Sequence, residues 1–220
     1  MYKPLGTAPL DASSYLSPYH LVGPSASAPQ NDRYGPLRAK ALATLEAMGF
    51  SPETMAERGV TWAEDQDPYG HVMHSQYQHY FGLCWFRMME EYAVYLSPED
   101  YKNTIQGKGI MPVISKYQIN IKRQVKYPDS LIVAFRFDKL DPYGNTGRTV
   151  LFSLNQQATV AETYGTATWI NVKTGRPTDI RKAGEGWASM YEAYGKRIES
   201  ARQLKEKWEA EHPPKKASKI

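Results

Sequence analysis

Across residues 76–96, apolar and aromatic side chains recur at spacings of three and four. Tyr77, Phe81, Cys84, Trp85, Met88 and Tyr92 share one face. Tyr80, Leu83, Met89 and Val94 widen the stripe beyond that of a surface helix, so the spacing predicts a helix covered on most sides. What can cover it follows directly in the chain. Val113, Tyr117, Ile119, Ile121, Val125 and Tyr127 alternate with Lys116, Gln118, Asn120, Lys122 and Lys126, a period of two that reads as one strand as far as Tyr127. Pro128-Asp129 makes a turn, after which Leu131, Val133, Phe135 and Phe137 alternate with Arg136 and Asp138. Asp141-Pro142-Tyr143-Gly144-Asn145 turns the chain again. Val150, Phe152 and Leu154 open a third strand, read as reaching Val160, and 164–172 gives a fourth, closed by Lys173-Thr174-Gly175-Arg176-Pro177. Residues 60–66, ahead of the helix, also read as a strand. The fold class is therefore α+β, with an antiparallel sheet wrapped around a long central helix. Such a sheet keeps a face free to pack on another subunit.

The flanks are different. Residues 1–35 are rich in Pro, Gly, Ser, Ala and Tyr and read as an extended arm. A helix follows: Pro36 suits its first turn, Leu37, Ala41, Leu45 and Met48 share a face, and Gly49 ends it. Ser51-Pro52-Glu53 starts a further short helical turn. A final helix over 185–211 carries Trp187, Tyr191, Tyr194, Ile198, Ala201 and Trp208 as an apolar seam, and Pro213-Pro214-Lys215-Lys216 reads as a solvated tail. The chain thus divides into an arm with short helices (1–57), a core domain (58–182) and a C-terminal amphipathic helix with a basic tail (183–220). A length of 220 residues suits one main domain with extensions. The net charge of +4 is too mild and dispersed for nucleic acid, and one cysteine, Cys84, leaves no internal disulfide. No apolar run approaches the ~18 residues of a membrane span.

The chemistry concentrates in Trp62-Ala63-Glu64-Asp65-Gln66-Asp67-Pro68-Tyr69-Gly70-His71-Val72. Asp67 sits in a tight Pro/Gly turn just before the apolar helix, whose first N–H groups can polarise a carbonyl. That pairing suits an ester or thioester substrate, with Asp67 as base or nucleophile. The plain alternative is a turn residue that caps a loop. Gly70 permits close backbone approach. His71 either positions water or fixes the loop, and His74 either polarises the carbonyl or stands at the surface. Tyr77, one turn into the helix, is a hydrogen-bond donor to substrate or a core aromatic. His79 reads as a packing or pairing residue. Strand alternation sends Glu64 and Asp65 to opposite faces, against a three-acid site. Cys84 reads as an inert core thiol. No His, Asp or Glu cluster has metal-ligand spacing.

Three segments, in order, resemble the hotdog-fold acyl-CoA thioesterases of the 4-hydroxybenzoyl-CoA thioesterase type, over about residues 58–182. The first is Trp62 through Phe81, similar to the family pattern of aromatic, acid, Asp, Gly-His-Val, then Tyr and Tyr-Phe. The second is Lys122-Arg123-Gln124-Val125-Lys126-Tyr127-Pro128-Asp129, and the third is Ala167-Thr168-Trp169-Ile170-Asn171-Val172-Lys173-Thr174-Gly175-Arg176-Pro177. The resemblance implies a hotdog fold with Asp67 on the catalytic carboxylate. It also implies an acyl group held at the interface of a homodimer or homotetramer. Met73 and His74 stand where many relatives carry two Asn, and Gly82 and Leu83 follow Phe81 where an acid is common. The implied substrate is an acyl-CoA or an acyl chain on a carrier protein, with coenzyme A present only as part of the substrate and no other cofactor. Arg123, Lys126 and Arg176, with Arg181 and Lys182 nearby, would meet its phosphates. Met73, Phe81 and Met111 would line the acyl pocket. A hotdog dehydratase or hydratase and a non-catalytic acyl-thioester binder are the rival readings. An intracellular location follows from such a substrate, the cytoplasm ahead of the mitochondrion.

Overall fold

The structure is a computed structural model and describes Asp32 and residues 34–213. Most of the expected arm, and the tail beyond Pro213, lie outside the described residues. The predicted central helix is α3 (His74–Tyr95), with α1 (Gly35–Ala47) and the single turn α2 (Trp62–Asp65) before it and α4 (Pro98–Ile105) and α5 (Glu185–Glu211) after it. The strands are β1 (Ala56–Gly59), β2 (Ile110–Ile121), β3 (Ser130–Asp141), β4 (Gly144–Ser153), β5 (Ala158–Asn171) and β6 (Arg176–Pro177). They form one six-stranded antiparallel sheet in the order β1-β3-β4-β5-β2, with β6 added to β5. This is the hotdog arrangement.

The inner face of the sheet carries Leu131, Val133, Phe135 and Phe137 of β3, Leu151 of β4 and Ala161 and Trp169 of β5. These enclose Tyr77, Tyr80, Phe81, Cys84, Met88 and Tyr92 of α3 in one buried cluster. α5 closes the cluster from the side through Trp187, Met190 and Tyr194, with Phe137 and Tyr194 rings 4.6 Å apart. A second core lies on the outer face. Ala41 and Leu45 of α1, with Phe50 and Met55, cover Ile132, Ala134, Val150 and Phe152. Backbone carbonyls fasten α1 there: Gln157 Nε2 donates to Leu37 O (3.1 Å) and Arg136 to Met48 O (2.6 Å). Gly49 ends the helix with φ +82°, and a Cβ there would lie 2.5 Å from the carbonyl oxygen of Ala201 on α5.

Four expectations need correction. Residues 60–66 are not a strand. β1 lies upstream, and Trp62–Asp65 is a helical turn whose N-terminal amide, Thr61 N, donates to the buried Asp65 Oδ2 at 2.6 Å. Glu64 and Asp65 therefore do not split across a sheet. The first long strand stops at Ile121, not Tyr127, because Lys122 N and Arg123 N both turn to Val160 O (2.8 and 3.0 Å) and Val125 O is claimed by Val72 N. The third strand stops at Ser153, not Val160. A turn at 154–157 holds Gln157 at φ 49°, and Ser153 Oγ, which accepts from Gln156 N, anchors it to Asp129. The apolar run hid this reversal because the turn contains neither Gly nor Pro. Finally, His79 is exposed rather than packed. α4, begun by Ser97 Oγ accepting from Asp100 N at 3.1 Å, was not foreseen.

Candidate active site

Asp67 lies in the loop between α2 and α3, and the loop closes on itself around its carboxylate. Oδ1 accepts from Tyr69 N and His71 N, both at 2.9 Å. Asp67 N donates to His71 O (2.8 Å) and Gly70 N to Asp67 O (3.0 Å). The reversal needs Gly70 at φ +75°, where a side chain would strain the backbone. Gln66 and Val72 pair as a β-bridge across the base. The His71 N–H, with that of Tyr69 and the charges of His71 and His74, outweighs partial burial and holds Asp67 below the usual carboxylate range. Oδ1 is thus saturated. Oδ2 has the His71 ring 4.0 Å away, and the side chain keeps 29% of its surface exposed. The carboxylate is ionised at neutral pH, with one oxygen bound by the loop and the other near the His71 ring.

The loop is set against the rest of the fold at fixed points. Val72 N donates to Val125 O and Met73 N to Asp65 O, each at 2.8 Å. Tyr127 N donates to Gln66 Oε1 at 3.3 Å, and the Trp62 and Tyr127 rings meet edge-on at 5.8 Å. Met73 and His74 then begin α3, whose first N–H groups have no acceptor in a preceding turn.

Of the residues singled out in the sequence, the fold brings Asp67, Gly70, His71 and His74 together. Tyr77 lies beneath them. It is 2% exposed, and burial raises its hydroxyl while a backbone hydrogen bond from Val125 opposes the shift. Arg123 and Lys126 are exposed in the β2–β3 connection that touches the Asp67 loop through Val125. Arg176 is elsewhere in the protomer: it pairs with Asn171 at the far end of β5, whereas Arg123 bonds Val160 at the near end. Met111, opposite Ile170, shares that far end, and Phe81 belongs to the core, so Met73, Phe81 and Met111 do not line one pocket within this protomer. Cys84 is fully buried, its Sγ donating to Phe81 O, and burial pushes the thiol up to about 12.

A family model described as the thioesterase-like superfamily matches residues 60–188, more than half of the chain. The chain belongs to the thioesterase-like superfamily. Its class is that of a thioester hydrolase. No curated protein matches the sequence. Among solved structures, it is similar to a DHNA-CoA thioesterase from Staphylococcus aureus (14% identity, 70% of this chain and 93% of that one, TM-score 0.50). It is also similar to a hypothetical protein of the same organism in complex with CoA (16%, 66% and 84%, 0.54). A 1,4-dihydroxy-2-naphthoyl-CoA thioesterase from Synechocystis gives 14%, 61% and 92%, and 0.50. At these identities the likeness is one of fold.

In this thioesterase-like chain, neither of two substantial cavities reaches Asp67. One of about 480 Å³ is lined by Pro52, Glu53, Arg87, Glu90 and Glu91. The other, about 180 Å³, lies between α4, β2 and the start of α5. The open apolar surface is instead the sheet edge. Ile114, Ile119 and Ile121 of β2 point to the inner face, in register with Ala167, Thr163 and Ala161, yet are 42%, 38% and 48% exposed. Phe86 of α3 is 60% exposed. Among the described residues no helix is long and apolar enough to cross a membrane, and no group of three or more His, Cys, Asp or Glu could hold a metal ion. Sequence reasoning missed Arg58, Tyr80 and Gln66, which hold the loop. Their signal was weak: a charged residue in a short strand, one tyrosine among many, and a glutamine in a loop.

Proposed function

We propose that the chain hydrolyses acyl thioesters of coenzyme A, with Asp67 as base or nucleophile. The observation that carries this is the division of labour within one carboxylate: Oδ1 is bound by two loop amides, and Oδ2 stands 4.0 Å from the His71 ring in the loop that leads into α3. As a base, Oδ2 takes a proton from water as the water oxygen bonds to the acyl carbon. The negative charge on the former carbonyl oxygen is met by the N–H groups of His74 and Ser75 in the first turn of α3. Collapse expels the thiolate, which recovers the proton, and the products are a carboxylic acid and free coenzyme A. As a nucleophile, Oδ2 attacks the acyl carbon itself and the C–S bond breaks, releasing the coenzyme A thiolate; water then cleaves the anhydride formed, freeing the acid and the Asp67 carboxylate, while the second proton of that water goes to the thiolate. His71 steadies the charge on Oδ2.

Coenzyme A is the carrier that the CoA-bound relative and the DHNA-CoA thioesterases favour. Arg123 and Lys126, exposed in the β2–β3 connection, would meet its phosphates, and coenzyme A enters only as part of the substrate. The working unit is a homodimer joined along β2. That strand is a twelve-residue edge with exposed isoleucines on its inner side, and a second copy would cover both. Antiparallel pairing of two β2 strands also brings the far end of one sheet to the near end of the other, which is how Arg176 would reach the same coenzyme. An intracellular site of action fits such a substrate.

The test is thiol release from a panel of acyl-CoAs. Asp67→Asn keeps the acceptor for Tyr69 and His71 and should lose activity by ~10²–10⁴-fold with its fold intact. A fully active variant overturns the assignment.

A further inference from the structure

Asp65 is a buried carboxylate that the proposed chemistry does not use. It is 0% exposed, and it is tied to four places at once. Its Oδ2 accepts from Thr61 N (2.6 Å) and from the Tyr80 hydroxyl on α3 (3.0 Å). Its Oδ1 stands 3.3 Å from the Arg58 guanidinium of β1, which also lies 5.0 Å above the Tyr80 ring. Its backbone carbonyl accepts from Met73 N, the residue just before α3. The loop bearing Asp67 leaves from Gln66 and returns at Val72, so both of its ends are fixed through Asp65 and its neighbours. Burying an ion costs several kcal/mol unless it is paired, and a turn this short could be capped by a neutral Ser or Asn. An ion pair here aligns strand, loop and helix in one geometry, which a neutral cap would not do.

We propose that Asp65 is the positioning residue of this site. Held by Arg58 and Tyr80, it fixes where the Asp67 carboxylate stands relative to the first turn of α3. This rests on the thioesterase reading for its kinetic consequence but not for its structural one, and the two separate by experiment. Tyr80→Phe keeps the ring under Arg58 and removes only the hydroxyl that donates to Asp65. Asp65→Asn keeps the acceptor but removes the buried charge 3.3 Å from Arg58, whose other carboxylate neighbour, Glu64, stands at 4.0 Å and is exposed. Both are assayed for acyl-CoA hydrolysis and, by NMR, for the pH titration of Asp67, read from the amide shifts of Tyr69 and His71. The charged groups that act on Asp67 are His71 and His74.

The expected result for Tyr80→Phe is a kcat lowered about 10–100-fold, the scale of a small misplacement, with KM within about twofold. The Asp67 midpoint should rise toward the ordinary carboxylate value as the loop amides loosen. A merely structural Asp65 would lower the melting temperature and leave the midpoint and kcat where they are, and that outcome overturns the proposal. If Asp65→Asn does not fold, Tyr80→Phe decides alone. If the native protein cleaves no acyl thioester but the midpoint still moves, the thioesterase reading fails and the positioning role stands.

Discussion

Replacing Ile119 and Ile121 together by lysine should break the proposed dimer. Both side chains lie on the inner face of the edge strand β2, at 38% and 48% exposure, so each has less than half of its surface left to bury. Full burial of an isoleucine side chain stabilises by about 1.5–3 kcal/mol, so the remaining fractions amount to about 1.3–2.6 kcal/mol per protomer. A two-fold interface uses the patch twice, which doubles the loss to about 2.5–5 kcal/mol. That weakens dimerisation by roughly 10²- to several 10³-fold. Four lysines facing one another would add repulsion. Sedimentation equilibrium across a concentration series gives the dissociation constants, with circular dichroism to confirm the fold. Leu204→Lys is the control, because Leu204 is 46% exposed on α5, three residues beyond the last buried residue of that helix, Ala201. An unchanged constant in the double variant, or an equal loss in the control, would refute the placement of the interface on β2.

Gly49→Ala should destabilise the fold by about 2–4 kcal/mol in urea unfolding, since it forces a side chain to φ +82° with its Cβ 2.5 Å from the backbone oxygen of Ala201. The pH dependence follows from Asp67, whose carboxylate is depressed first by the His71 amide. A depressed acid stays ionised as pH falls through the unfolded value of about 3.9, so kcat/KM should hold to about pH 4–5 and its acid limb should fall below the ordinary carboxylate midpoint. An acid limb above about pH 5 would contradict this. By the same sign, the loop hydrogen bonds contribute stability above the unfolded pKa that is lost as pH drops through the folded one. Cys84, buried with its thiol near 12, should resist a disulfide reagent in the folded protein and react at the rate of global unfolding. Rapid modification under native conditions would mean that α3 is not enclosed as described.

The parts of the fold that were legible in the sequence are those set by local period. The central helix announced itself because its apolar residues exceed one stripe. β3 did so because Leu131, Val133, Phe135 and Phe137 recur at every second position, with Arg136 and Asp138 beside the last two. The errors arose where tertiary partners set the backbone. Val60-Thr61-Trp62 are strand-favouring types, but Thr61 N, Tyr80 and Arg58 converge on Asp65 and Trp62–Asp65 winds into a turn. The alternation after Ile121 continues to Tyr127, yet Val125 bonds Val72 instead of a neighbouring strand. At the site, the position of Asp67 before a helix could be read from Pro68, Gly70 and the aromatic run. That one of its oxygens is already bound by two amides could not, because the ring closure depends on the loop's conformation. Nor could spacing alone show that β5 holds Arg123 and Arg176 at opposite ends.

The helix laid over the outer side of β3 and β4 has a consequence for assembly. Residues 35–47 roof those two strands and are pinned by the carbonyls of Leu37 and of Met48, the residue that follows the helix. A neighbour arriving from that direction meets a helix rather than bare strands, so stacking two sheets back to back over this region is sterically closed. Growth beyond a pair would have to use the β5–β2 side, where Tyr164 and Val113 are open. Deleting the roof would uncover Ile132, Ala134, Val150 and Phe152 in a single stroke, making the same segment a guard against unwanted clustering.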